Sequence, residues 1–178
     1  MVVAVDPNSK GAATESPVMN LRSLACGLVL GCVLGSSARV AAQSVALGPH
    51  GGVNLDTGNL HLGADVVVGL GALSTRAAPS VSLALWPSYA HVFIDGGHDV
   101  ELFGVDLPFL FAIEDAVVTP FVGPGLGLAF YGDTSLKLNV IGGVFVETHS
   151  AVRPFGELAL RFIHGTFVDL LAGVVFEL

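Results

Sequence analysis

The chain is poor in cysteine, in charge and in basic residues, and each shortage narrows its identity. Only two cysteines occur, Cys26 and Cys32, both near the start. Beyond them a fold must close without disulfides or thiolate metal ligands. Charged residues make up 12% of the 178 positions, and the formal net charge is -8. An acidic balance of that size argues against nucleic acid as a partner. Hydrophobic residues reach 52%, yet the second half contains no uninterrupted apolar run of the roughly eighteen residues that a helical membrane span needs. The length suits one domain.

The N-terminal region reads as an export signal. Met19-Asn20-Leu21-Arg22 gives a short positive start, Leu24 to Leu34 an apolar core, and Ser36 to Ala42 a run of small residues broken by Arg39 and Val40. The expected cut follows Ala42, with Val40 and Ala42 at the small-side-chain positions. The apolar core is short for an uncut anchor, and Leu30 is bulky for the position two before a lipidated Cys32. Residues 1-18, with Asp6, Lys10 and Glu15, have no place in such a signal, which points to Met19 as the start of translation. The expected organisation is therefore an extension and signal over 1-42 and one domain over 43-178. The exported part would keep four basic residues, Arg76, Lys137, Arg153 and Arg161, against thirteen acidic ones.

What that part does contain is alternation. Eight strand-like segments run over 45-56, 59-71, 80-93, 99-113, 118-131, 135-147, 152-163 and 167-178. Gly/Asp/Asn clusters separate them, such as Asp56-Thr57-Gly58-Asn59 and Asp95-Gly96-Gly97, and supply the positive backbone angles of tight turns. Short connections imply an antiparallel meander. In the last segment Leu178, Phe176, Val174, Ala172 and Leu170 share one face, with Glu177, Gly173 and Asp169 on the other. The segment over 152-163 sets Val152, Leu158, Leu160 and Phe162 against Arg153, Glu157, Ala159 and Arg161. The segment over 99-113 sets Phe103, Val105, Leu107, Phe109, Phe111 and Ile113 against Gly104, Asp106, Pro108 and Ala112. The register of the third segment, around Trp86-Pro87, is ambiguous.

The less apolar faces discriminate between folds. They mix glycine and alanine with isolated charges of both signs, unlike the freely charged outer face of a soluble sandwich. That combination suits the inside of a narrow eight-stranded barrel. Lys137, Arg153 and Arg161 are then expected to meet Asp65, Asp106, Glu147, Glu157 and Asp169, because an unpaired buried charge costs several kcal/mol. These eight residues are the candidate interior polar set.

With these features the chain resembles the small eight-stranded outer-membrane barrels, the OmpA transmembrane-domain, OmpX and OmpW type, over essentially all of 43-178. The resemblance rests on the signal, the eight alternating segments, the short turns and the apolar-terminated last strand. It implies an all-β, up-and-down transmembrane β-barrel in the outer membrane of a Gram-negative-type bacterium. Outer-membrane lipid would surround it, and the barrel-assembly machinery would read its C-terminal strand. Three features depart from the pattern: Leu178 ends the chain where Phe is usual, no turn is extended, and proline is frequent within segments (Pro49, Pro87, Pro108, Pro120, Pro124, Pro154).

Catalytic and metal signatures are weak. His50, His61, His91, His98, His149 and His164 form no pair at helical metal spacing. Asp95, His98 and Asp99 share one turn and read as solvated turn residues ahead of a cation site. His149 and Ser150 have the residue types of an outer-membrane lipid A deacylase, but adjacent side chains on a strand face opposite ways. Gly123-Pro124-Gly125-Leu126-Gly127 lacks the Lys and following helix of a phosphate loop and reads as small inward residues. Trp86 and Tyr89 fit a membrane-water boundary or core packing equally. The inner acid excess admits a cation-favouring passage or a carboxylate-rich, water-filled interior. No catalytic, cofactor or metal residue is assigned. The function expected is structural or interaction-based. A narrow pore or carrier for small solutes, or a secreted barrel that binds an apolar ligand, stands as an alternative.

Overall fold

A computed structural model describes residues 44-74 and 80-178. The expected signal segment, the expected cut after Ala42 and both cysteines lie outside these residues. The chain forms strands β1 (Ser44–Asn54), β2 (Leu60–Ser74), β3 (Ser80–Phe93), β4 (Val100–Asp106), β5 (Phe109–Ala112), β6 (Val118–Tyr131), β7 (Asp133–Val146), β8 (Val152–Phe162) and β9 (Thr166–Glu177). Every pairing is antiparallel, each strand joins its sequence neighbour except that β4 and β5 do not pair with each other, and β9 returns to pair with β1 from Ala46↔Glu177 to Asn54↔Asp169. The sheet therefore closes on itself.

The nine strands make an eight-stranded barrel, because β4 and β5 are two halves of one wall position. Both pair with β3 and with β6, and the register is unchanged across the break: Trp86↔Asp106 continues as Leu83↔Phe109. Pro108, almost completely buried, causes the interruption. Its carbonyl accepts from the Ala84 N–H at 3.0 Å, but it has no N–H to return. The Leu107 N–H bonds the Pro124 carbonyl at 2.9 Å, where the second proline again withholds its donor. Gly123 stands across from Pro108, and a Cβ there would strike the Leu107 and Pro108 backbone. The glycine-proline run of β6 is thus the complement of the break in the neighbouring wall.

Burial alternates along the strands with the period of two that sheet geometry dictates. In β8, Phe155, Glu157, Ala159 and Arg161 point inward and are buried, whereas Leu158, Leu160 and Phe162 point outward and are exposed. The same division holds in β7 and β9. Trp86 is inside the barrel, 2% exposed, so of its two expected placements core packing holds. Tyr89, Phe103 and Phe130 form a ring cluster on the outer wall, with centroids 4.9 and 5.6 Å apart.

Candidate functional site

The lumen is layered, and each layer follows from which residues occupy the inward parity at that height. Two ends must be distinguished. The terminal end carries Ser44 and Glu177, and the distal end carries the β1–β2, β3–β4, β6–β7 and β8–β9 turns.

At the terminal mouth Arg153 donates to Glu147 Oε1 at 2.6 Å and to Glu177 Oε1 at 3.3 Å. Thr119 Oγ1 donates to the same Glu147 oxygen at 2.6 Å. Glu147 and Arg153 are partly solvated there, outside the deep lumen. The Arg153 guanidinium also sits over the Phe145 ring, 4.8 Å from its centroid, a favourable cation–π position.

Above it the lumen is filled by rings. Trp86 packs against Phe121, Phe145 and Phe155 with centroids 5.1, 5.4 and 5.3 Å away. Ile141, Leu171 and Val175 close the layer. Inward glycines make this possible: a Cβ at Gly143 would meet the Phe121 ring at 2.6 Å, and one at Gly173 would meet Phe155 at 2.6 Å. A lumen that sequence reading had filled with charge is therefore aromatic through its terminal half.

The middle layer is polar. His50 Nδ1 lies 2.7 Å from Asp65 Oδ2, both side chains almost fully buried. Asn139 Nδ2 donates to Asp106 Oδ1. Lys137 and Glu157 share this layer with Asp106. Lys137 closes no ion pair within 4.0 Å among the described residues, although it lies among acidic neighbours. The anticipated Lys/Arg partners of Asp65 and Asp106 are replaced by His50 and Asn139. Nothing in the sequence marked those partners, since they depend on the stagger between strands.

The upper layer centres on Asp169, which is 1% exposed. Arg161 Nε lies 2.5 Å from its Oδ2. Both atoms lack a well-directed hydrogen bond, so the N–H is off line and the contact is an ion pair by proximity. Asn54 Nδ2 donates to Asp169 Oδ1 at 2.7 Å. His61, 3% exposed, brings its Nε2 to 3.5 Å from Oδ1, too far for a hydrogen bond, and both its ring nitrogens are unpartnered.

These residues floor a cup that opens at the distal end, with a volume of about 430 Å³. One side is apolar: Val92, Ile94, Val100, Leu102, Ala129 and Ile163 pack together there. The other carries Asn54, Asn59, His61 and Asp169. The rim adds Ser135, whose Oγ lies 2.8 Å from His164 Nε2. No carboxylate bonds the other His164 nitrogen among the described residues, so the third member of a hydrolytic triad is missing. The His149–Ser150 pair does not meet: Ser150 Oγ bonds Thr148 Oγ1 at 3.0 Å within its turn. In the β3–β4 turn Asp99 accepts from the Ile94 N–H at 3.2 Å and lies 3.1 Å from His91 Nε2. It therefore closes the turn with those contacts. No group of three or more potential metal ligands occurs among the described residues.

No protein-family model matches the chain, and no curated protein matches it in sequence. Solved structures do. The outer membrane enzyme PagL superposes with a TM-score of 0.56 at 8% identity, over 73% of this chain and 97% of PagL. Neisserial surface protein A (NspA) matches with a TM-score of 0.47 at 17% identity, over 75% of this chain and 94% of that one. Ail, the attachment invasion locus protein of Yersinia pestis, matches with 0.46 at 15% identity, over 76% and 97%. What the chain shares with PagL is the fold, the small closed antiparallel barrel.

Proposed function

We propose that the protein is a non-conducting outer-membrane barrel with a structural or interaction role and no catalytic activity. The observation that carries this reading is the aromatic layer of Trp86, Phe121, Phe145 and Phe155 across the lumen. A close-packed layer of rings leaves no water path, which opposes the alternative of a pore or carrier. The outward residues oppose the alternative of a soluble ligand-binding barrel. Leu62, Leu126, Leu138, Leu158 and Leu170 are each 46–59% exposed, and a contiguous apolar belt of this kind is ill suited to water but natural against lipid. Among the described residues every strand is paired along both edges within a closed sheet, the arrangement that hydrocarbon requires. In this reading lipid surrounds the belt, and the assembly machinery engages β9, whose outer face runs Leu170, Ala172, Val174, Phe176.

Planar-bilayer recording of the refolded full chain tests the proposal. Silence is expected, and stable unitary currents would overturn it. Extraction of envelopes with carbonate and urea tests location: retention in the membrane pellet is expected, and release into the supernatant would refute the membrane assignment.

A further inference from the structure

We propose that the distal cup is a binding site for an uncharged amphiphile, one that presents a hydroxyl or similar donor-acceptor group to His61 and an alkyl body to the Val92–Leu102–Ile163 wall. The inference goes beyond the role proposed above and does not depend on it.

Three observations converge. The first is size. About 430 Å³ of open volume accommodates roughly fourteen groups at the ~30 Å³ that a water occupies in the liquid, within the usual range of small-ligand sites. The second is His61. Its ring is 3% exposed and lines the cup, yet neither nitrogen has a hydrogen-bond partner. A buried imidazole left so is costly, and such orphans mark places where a partner belongs. A neutral imidazole offers one donor and one acceptor on opposite sides of its ring; a hydroxyl, which can donate or accept, matches whichever nitrogen faces the cup. The third is the unequal chemistry of the walls, mostly apolar on the β3, β4 and β6 side and, apart from Phe167, polar on the β1, β2 and β9 side.

The charge state of the head group follows from the floor. Arg161 and Asp169 already neutralise each other at 2.5 Å, and Asn54 holds the second Asp169 oxygen at 2.7 Å. A carboxylate brought there would face Asp169, and an ammonium would face Arg161, with Lys137 lying in the lumen near Arg161. Either would bury an uncompensated charge. A hydroxyl leaves the pair intact.

The test uses the full chain in phosphatidylcholine nanodiscs with 1-decanol, decanoate and decylamine as probes of equal chain length. The readout is the His61 imidazole signal in histidine-labelled protein, assigned by its loss in His61→Phe. Decanol is expected to shift that signal saturably, and decanoate and decylamine at least tenfold more weakly. Ala129→Trp and, independently, Leu102→Trp fill the cup and should abolish the shift; heat-modifiable migration confirms that each still folds. The proposal is overturned if decanol produces no saturable shift, if the shift survives in a folded cup-filling variant, or if a charged probe binds as tightly as the alcohol. Conductance does not enter this readout, so failure here leaves the non-conducting role standing, and the reverse also holds.

Discussion

Lys137 reaches the lumen through the space left by Gly104: a Cβ at position 104 would lie 2.9 Å from the lysine Nζ and 3.1 Å from Ser88 Oγ. The glycine on one strand and the cation two strands away are a matched pair. Gly125 stands in the same relation to Asp106 and Asn139. Gly104→Val should therefore force the ammonium out of its place. The overpacking alone costs ~1–3 kcal/mol, and the displaced charge adds to it. Urea unfolding followed by gel migration without boiling should show a lower midpoint, whereas Gly104→Ala should show a smaller loss.

Phe155 is the ring through which the aromatic layer is most readily opened, because it touches Trp86 edge-on at 5.3 Å and Phe145 at 5.7 Å. Phe155→Ala should cost ~3–5 kcal/mol. The single Trp of the chain lies in this layer, so its emission should move to longer wavelength as water enters. Unchanged emission in a folded variant would mean that the remaining rings close over the gap.

Arg161 and Asp169 should behave as a buried pair. Arg161→Met leaves a carboxylate at 1% exposure without its counter-charge and should cost ~3–5 kcal/mol. Arg161→Met combined with Asp169→Leu should recover most of that loss. A double variant as unstable as the sum of the singles would show that the two residues act separately.

The β3–β4 turn should respond to acid. Asp99 is held below its ordinary value by the Ile94 backbone N–H first and by the His91 ring second. A carboxyl group whose folded-state value is depressed stabilises the fold fully above its unfolded value, near ~4. That contribution disappears as pH falls through the lower folded value. The Ile94 amide resonance should thus change as pH falls below about 4. In Asp99→Asn the acid-dependent change should vanish.

Strand positions and inward parity were legible wherever the two faces differ chemically. In β7, β8 and β9 the inward residues of the distal half, Lys137, Asn139, Glu157, Arg161 and Asp169, are polar or charged and the outward ones mostly aliphatic, so alternation orients the strand there, whereas in the terminal half Ile141, Phe145, Phe155, Leu171 and Val175 also point inward. β3 defeats this logic at one residue: small Ser80, Ser82 and Ala84 alternate with Val81, Leu83 and Leu85, but bulky Trp86 then takes the inward position because it supplies the aromatic layer. The Pro108 break was equally hidden, since one residue without a donor does not alter the period of its neighbours. The His50–Asp65 and Asn139–Asp106 partners could not be read at all. They join residues whose proximity is set by the stagger of closed strands, a property of the whole ring. His61 was visible as a histidine on the inward face of β2, but its lack of partners appears only once the floor is assembled.

The barrel is stopped at one end by rings and hollow at the other. A vessel closed at its base exchanges its contents through a single mouth, so whatever occupies it reports on one compartment alone. Occupancy would then depend on concentration at that side and on no gradient across the bilayer, which is the behaviour of a receptor surface folded inward.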